Sequence, residues 1–472
     1  MTDVIAPERA PNPDPPRRRP GAGLFRAVWR WHFFASFLVV PILLVLATTG
    51  LIYLFRFQLE PLLHADLMRV DRQPGTLSQP HSGQLAAVHN AFPDGTIVSM
   101  TEPAAPDRST VFSVALPDGS TRDAFVDPYG PTYLGALDPD TTVSGYAVRL
   151  HGELMAGPWG DLVIELGACW ALVMALTGYY LYVRGRRGRR RARQAGRAGA
   201  TLRSRHGLVG LFVGGGLLLL LVSGLPWTGI WGAKVQALAT DRGTSLWSTD
   251  PGAISDPTST LDESLPHSHA VDVPWGMGKS EVPRSAREGS VANIDTAVEV
   301  ADGAGLRHPF TVAMPSDEAD STGVFSVIGY AFDAPTDERT VHVDRYGGRV
   351  VSTYGFDDYP ALAKVVSLGI GLHEGRALGL WSFWGSALMC LAVVFMGVTG
   401  PLMWWRRRPR GAMSVGAPRG RLPVRSSPVL LVGLVALGVF LPVFGVSLLV
   451  VLLLDQVVLR RVPALGGWFD VT

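Results

Sequence analysis

Five stretches of this chain are apolar for long enough to cross a lipid bilayer, which takes about 20 helical residues. They lie near Phe33–Phe55, Leu162–Val183, Gly207–Trp231, Trp384–Trp405 and Val429–Leu454. In hydrocarbon every backbone N–H and C=O must be bonded within the protein, so these runs have to be helices. Charged residues make up only 17% of the chain and cluster between the runs, which excludes one large soluble domain. The first run is longer than a signal-peptide core and no small-x-small site follows it, so it reads as a retained helix. Cys169 and Cys390 sit inside apolar runs without a CxxC pattern, and read as small buried hydrophobes rather than a disulfide or a thiolate metal site.

Charge sorting sets the orientation. Ten arginines and no acid lie from Arg184 to His206, and seven arginines and no acid from Arg406 to Arg425. The N-terminal tail carries PPRRRP, then Arg26 and Arg30. Such basic segments stay cytoplasmic. From Phe57 to Gly160 there are 12 acidic against 5 basic residues, and from Gly232 to Phe383 there are 21 against 11. These two segments are expected on the outer side. The layout is a cytoplasmic tail (1–32), helix 33–55, an outer domain (56–150), an outer histidine segment with its helix (151–183) and a basic loop (184–206). It continues with helix 207–231, a second outer domain (232–372), a second histidine segment with its helix (373–405), a basic loop (406–428), helix 429–454 and an outer tail (455–472). The arginine runs read as topology signals, and no nucleic-acid partner is expected.

Both outer segments alternate as strands do. VFSVAL (Val111–Leu116) precedes a PDG turn and AFVDPYG (Ala124–Gly130). VFSVIGYAF (Val324–Phe332) precedes TVHVDRYGGRV (Thr340–Val350). The shared VFSV and V-D-x-Y-G elements suggest one small α+β unit used twice, with Ala86–Phe92 and Ile294–Gly305 as its helix. The Pro/Ser/Gly-rich insert Thr249–Ser290 reads as loop.

The repetition extends into the apolar runs. His151 and His373 stand 222 positions apart (373 − 151), as do Trp159 and Trp381 and the Thr177-Gly178 and Thr399-Gly400 pairs. His32 precedes Gly50 by 18 positions (50 − 32), and His206 precedes Gly224 by 18 (224 − 206). The chain is two copies of one plan, with the fifth run added; such repeats place a site at their interface. Small residues such as Gly167, Gly178, Gly214–Gly216, Gly385 and Gly397 would let the helices approach closely.

Four histidines thus hold matched positions, His32 with His206 at the cytoplasmic edge and His151 with His373 at the outer edge. Ionisable residues at membrane depth are costly and tend to carry function. Neutral imidazole is the axial ligand of a b-type haem, and two per iron could clamp a haem between helices. Arg30, Arg149, Arg205 and Arg376 lie close enough in sequence to pair with its propionates. A lone histidine at a membrane edge is more often a helix cap or headgroup ligand; four in matched positions favour ligands. His151 precedes its apolar run by about ten residues, roughly 15 Å of helix. Either that helix starts early, or the Gly157-Pro158 break bends His151 back over the bundle. His64, His81, His89 and His308 read as outer surface residues, His342 as structural, and His267 and His269 as solvated loop.

Taken in order, W-x-H before a run ending in T-G-L, an outer V-D-x-Y-G, then L-H and a run ending in T-G and W-W-R-R-R resemble the PepSY-associated transmembrane proteins, also called iron-regulated membrane proteins. The resemblance covers the chain from about Trp29 to the fifth run. It implies a bacterial inner-membrane protein with two outer PepSY domains. It also implies haem-bearing reductases of ferric siderophores, with His32, His206, His151 and His373 as iron ligands of two haems b. A cytoplasmic or quinol donor would feed the inner pair, and the outer pair would pass electrons to a ferric chelate. The sequence departs from the pattern at Ser223-Gly224-Leu225 and Thr399-Gly400-Pro401, and neither departure is expected to touch a histidine. The alternative is a membrane-anchored PepSY module that binds peptidases or envelope partners without a cofactor. A permease is less supported, since Glu165 is the clearest acid inside a run and Asp161 and Asp455 lie at edges. No catalytic acid–base constellation is visible.

Overall fold

The structure, a computed structural model, describes residues 22–197, 199–247, 257–261, 263, 273–285, 290–315, 323–329, 334–407, 415–417 and 428–469. Helix α1 (Ala22–Leu54) and the short α2 (Arg56–Leu63) and α3 (Ala65–Met68) lead into α4 (His81–Ala91) and strands β1 (Thr96–Thr101), β2 (Thr110–Ala115), β3 (Thr121–Asp127) and β4 (Thr132–Leu137). Helices α5 (Val143–Glu153), α6 (Gly157–Arg184), α7 (Arg186–Gln194), α8 (Ala200–Gly224) and α9 (Gly229–Thr240) follow. The second outer segment holds β5 (Pro257–Thr260), β6 (Glu281–Pro283), α10 (Ile294–Gly303), β7 (Phe310–Ala313), β8 (Val324–Gly329), β9 (Arg339–Asp344) and β10 (Val350–Gly355). Helices α11 (Ala361–His373), α12 (Leu380–Arg407), α13 (Pro428–Phe440), α14 (Pro442–Leu454) and α15 (Pro463–Trp468) complete it.

Among the described residues five helices, 23–54, 157–184, 200–227, 380–406 and 442–459, are long and apolar enough to cross a membrane. In the bundle α1 packs on α6 and α12, and α8 packs on the same two. Val39, Leu43, Ala47, Ala171, Leu221 and Val393 meet in its core. Close approach depends on missing side chains. A Cβ at Gly167 would lie 2.6 Å from Ile42, one at Gly397 2.8 Å from Leu44 and one at Gly214 2.8 Å from Tyr179. Gly385 meets nothing within 4 Å and is not such a contact.

The fifth apolar run is not the single helix its composition suggests. It bends at Leu441, ahead of Pro442, where a following proline disfavours helical backbone. The chain folds back on itself there, and a Cβ at Gly445 would lie 2.5 Å from the Gly438 carbonyl oxygen. Phe440 meets Trp231 at the sheet side, whereas the Phe469 ring packs tilted against Phe34 and its carbonyl accepts from Arg30 beside the start of α1. Residues 455–469 therefore lead back toward the N-terminal end of the bundle, not to the sheet side expected for the tail.

The outer segments also differ from expectation. Their strands form one antiparallel sheet of order β10-β9-β8-β7-β1-β2-β3-β4, four from each segment. The seam is β1 with β7, which pairs Ser99 with Ala313, Met100 with Val312 and Thr101 with Thr311. Period-2 alternation explains the shared core: Met100, Phe112 and Val126 point to the face that also carries Phe310, Val312 and Val341. Val88 of α4 and Ala297 of α10 cover that face. The insert is not only loop. Its described part forms the β5–β6 ribbon and buries Val273, Met277 and Val282. His267 and His269 lie outside the described residues.

His342 is a core residue of this sheet, bonded to Ser326 at 2.9 Å. Burial pushes its pKa down to about 3. The unfolded chain, with an ordinary histidine near 6.5, takes up the proton first. The sheet should therefore lose stability as pH falls from about 6.5 toward about 3, and circular dichroism across that range should show a slope that His342→Gln flattens. A shared core makes a second prediction. Met100→Ala should cost about 2–4 kcal/mol, and limited proteolysis should then cut both outer segments together; cleavage of residues 56–150 alone would contradict one core.

Candidate functional site

Each of the four matched histidines is carried by a helix end or edge. His32 lies in the third turn of α1 and His206 in the second turn of α8. His151 and His373 stand in the last turn of α5 and of α11. Left-handed residues then reverse the chain: Leu154 (φ 50°), Met155 (φ 54°) and Gly157 (φ 55°) after α5, Gly375 (φ 77°) and Gly379 (φ 54°) after α11. Of the two routes open to His151, the break is the one taken. It sets the ring against α1, within 3.2 Å of where a Gly50 Cβ would be. Leu154 and Met155 hold a backbone region that side chains disfavour.

A hydroxyl from a neighbouring helix holds every ring at Nδ1. Thr177 Oγ1 lies 3.1 Å from His32 Nδ1, Thr399 Oγ1 3.2 Å from His206, Thr49 Oγ1 3.1 Å from His151 and Ser223 Oγ 3.1 Å from His373. Each hydroxyl has one proton, and its own helix takes it. Thr49 donates to the Val45 carbonyl at 2.7 Å, Thr177 to Val173 at 2.9 Å, Ser223 to Leu219 at 2.7 Å and Thr399 to Met396 at 3.3 Å. The hydroxyl oxygen is then left to accept, so Nδ1 carries the ring proton and Nε2 keeps its lone pair. This is the tautomer an Nε2 metal ligand needs, oriented as metal-binding histidines usually are. The glycine after three of these hydroxyls makes room for the ring. A Cβ at Gly50, Gly178 or Gly224 would sit 3.2, 3.3 or 3.5 Å from the histidine Cε1, whereas Gly400 has nothing within 4 Å.

The two residue triplets that depart from the pattern therefore do touch histidines, contrary to expectation. Ser223 bonds His373 and Thr399 bonds His206. A serine substitutes because the contact needs only an oxygen.

The outer pair is assembled: the rings of His151 and His373 lie 6.2 Å apart at 84°. Two imidazole nitrogens each about 2 Å from one metal ion leave a ring separation of this size. The inner pair lines a cavity of about 940 Å³, walled by Gly178, Gly207, Gly210 and Gly214 and by Tyr179 and Trp404. Its basic rim is Arg184, Arg189, Arg197 and Arg203, and the Arg203 Nε is buried without a hydrogen-bond partner. Arg30 and Arg205, the inner arginines expected from sequence proximity, are not among its lining residues. Arg30 donates to the Phe469 carbonyl, and Arg376 is buried between Glu338 (2.7 Å) and Glu374 (2.7 Å). Among the described residues no group of three or more His, Cys, Asp or Glu could hold a metal ion. A haem iron takes its remaining ligands from the porphyrin and needs only two.

Buried carboxylates fix the outer helices. Glu60 accepts from the Ser144 amide (2.7 Å) and hydroxyl (2.5 Å) at the start of α5. Glu338 accepts from Arg376, Tyr359 (2.9 Å) and Ser367 (3.1 Å), which ties α11 to the sheet. Glu165, the acid inside an apolar run, accepts from the amides of Ile230 (3.0 Å) and Trp231 (3.2 Å), and Asp161 accepts from Gly229 (2.9 Å). Both carboxylates cap α9, as a helix N-terminus favours. His81 and His308, expected as outer surface residues, meet on Glu102 at 3.6 and 2.7 Å across the sheet seam.

The PepSY-associated TM region family model matches residues 29–407, a stretch that spans α1 to α12 and leaves out the folded-back run. No curated protein matches the chain.

The hydroxyl contacts predict a tautomer. Nitrogen NMR of histidine-labelled protein should find His32, His151, His206 and His373 protonated at Nδ1. Thr177→Val should disturb His32 alone and cost about 1–3 kcal/mol by stranding a buried donor. A mixture of tautomers at all four rings would contradict the assignment.

Proposed function

We propose that this chain, which belongs to the PepSY-associated TM region family, is a multi-pass b-type haem protein that carries electrons across the membrane to a ferric chelate. The observation that supports it is four half-buried histidines, each with a hydroxyl of a neighbouring helix at Nδ1, two of them with rings 6.2 Å apart. When bound between such a pair, haem supplies a one-electron carrier in an apolar setting. The chain's own part is to hold and insulate. His32 and His206 would ligate in the glycine-walled cavity, where the rim arginines suit two carboxylates. His151 and His373 would ligate beneath the sheet, where Glu60 and Glu338 keep their helices in place.

The finer reading follows the matched motifs. The two halves are one plan repeated, with PepSY units merged at the β1–β7 seam. The N-terminal end faces the bacterial cytoplasm, on the strength of the arginine runs, and meets a cytoplasmic or quinol donor. The sheet lies outside, and a ferric siderophore is the acceptor. Iron(III) reduction there needs an electron and an access surface, not acid–base groups.

His32→Ala and His151→Ala should each lower the haem-to-protein ratio by about half, given two ligands per iron. Only the variant that keeps His151 and His373 should be reoxidised rapidly by added ferric chelate. Full haem content in both variants would overturn the ligand assignment. A colourless protein that takes up no haem would leave the membrane-anchored binding module.

A further inference from the structure

The outer histidine pair is not symmetric in its surroundings. Trp227 follows the Ser223-Gly224 pair that holds His373. Its ring lies 5.6 Å from the His373 ring at 87°, edge to face. Trp227 in turn meets Trp275 at 5.7 Å and 84°, and Trp275 meets Trp247 at 3.9 Å with the rings tilted by 38°. Trp227 is 39% exposed, so part of its ring stays open while the rest touches the ligand pair. The matching place after Thr49-Gly50 is Tyr53, and the Arg56 guanidinium covers that ring at 3.6 Å. The matched position in the first half is thus covered by a cation, whereas Trp227 leads from His373 to two further indoles.

The indole cluster is held in place by the insert that the first outer segment lacks. Trp275 stands in a turn closed by the Met277 amide on the Pro274 carbonyl at 2.8 Å. The next residue, Gly276, lies beside α11 and the chain before it, where a Cβ would make ordinary contacts with Tyr359 at 3.4 Å and with Glu338 and Ser367 at 3.6 Å. Met277 is fully buried. These contacts tie Trp275 to α11, the helix that ends in His373. A rigid aromatic face requires little ordering on binding, and indoles prefer flat, polarisable partners.

We propose that Trp227, Trp247 and Trp275 form the acceptor subsite of the outer histidine pair, and that it takes ferric chelates whose ligands carry aromatic rings, the catecholate class. This rests on the electron-transfer reading. One electron passes from the outer centre to the bound chelate, iron(III) becomes iron(II), the centre is oxidised by one electron, and no bond to the protein forms. Stacking on an indole places a ring of the chelate against a side chain that itself touches His373.

The test separates binding from redox chemistry by using gallium(III), which matches iron(III) in charge but is not reduced. Calorimetric titration of the purified full-length protein with gallium(III) tris-catecholate should show saturable binding, and gallium(III) citrate should bind far more weakly. Trp275→Ala and Trp227→Leu should each weaken catecholate binding at least tenfold and leave the citrate titration unchanged. Trp275→Phe, which keeps a ring, should restore most of the affinity and guards against a variant that merely misfolds. Equal binding of both complexes, or tryptophan variants that bind as the parent does, would overturn the subsite. Haem content is measured on the same samples, so failure of the electron-transfer reading is seen independently.

Discussion

The structure depends most on a hydrogen bond that occurs four times, between an imidazole Nδ1 and a hydroxyl on a neighbouring helix. A histidine inside a membrane bundle needs partners for two nitrogens. The hydroxyl satisfies one and, because its own proton is committed to a carbonyl one turn back, it dictates which nitrogen keeps the lone pair. The same bond ties helices together: α1 to α6 and to α5, α8 to α12 and to α11. Helix packing and ring orientation are thus one feature. The adjoining glycines let three of the rings lie against the helix surface.

The outer half exists in a form that holds the two sheet-side histidines at the ends of short helices. A helix that ran straight from α5 into α6 would carry His151 away from the bundle. The left-handed residues after α5 and α11 turn it back, and Glu60 and Glu338 anchor the starts and flanks of those helices to the rest of the fold. Both outer segments share one sheet, and the two rings meet at 6.2 Å.

Much of this was legible in the sequence. Length and hydropathy mark the first four membrane helices, because backbone bonding in lipid allows little else. Alternation marks the strands from Val111 and Val324, and the matched spacing singles out the four histidines. What escaped were relations between distant residues. Alternation shows which face of a strand is buried but not which edge it pairs with, so the β1–β7 seam was invisible. Ser223 and Thr399 looked like departures from a motif, since helix-to-helix contacts cannot be read from one chain position. The arginines nearest the histidines in sequence proved to be engaged elsewhere in two cases, because neighbours along a helix point in different directions. In the fifth run Pro442 was the available signal, overlooked because the apolar composition continues across it.

The central claim is that these histidine pairs are ligand pairs. The most direct measurement is an optical spectrum of the purified protein, oxidised and then reduced with dithionite, with the haem released and quantified. The account predicts sharp reduced b-type bands and about two haems per chain, one for each bis-histidine pair. A protein that is colourless as purified, and stays so after incubation with haem, would contradict it.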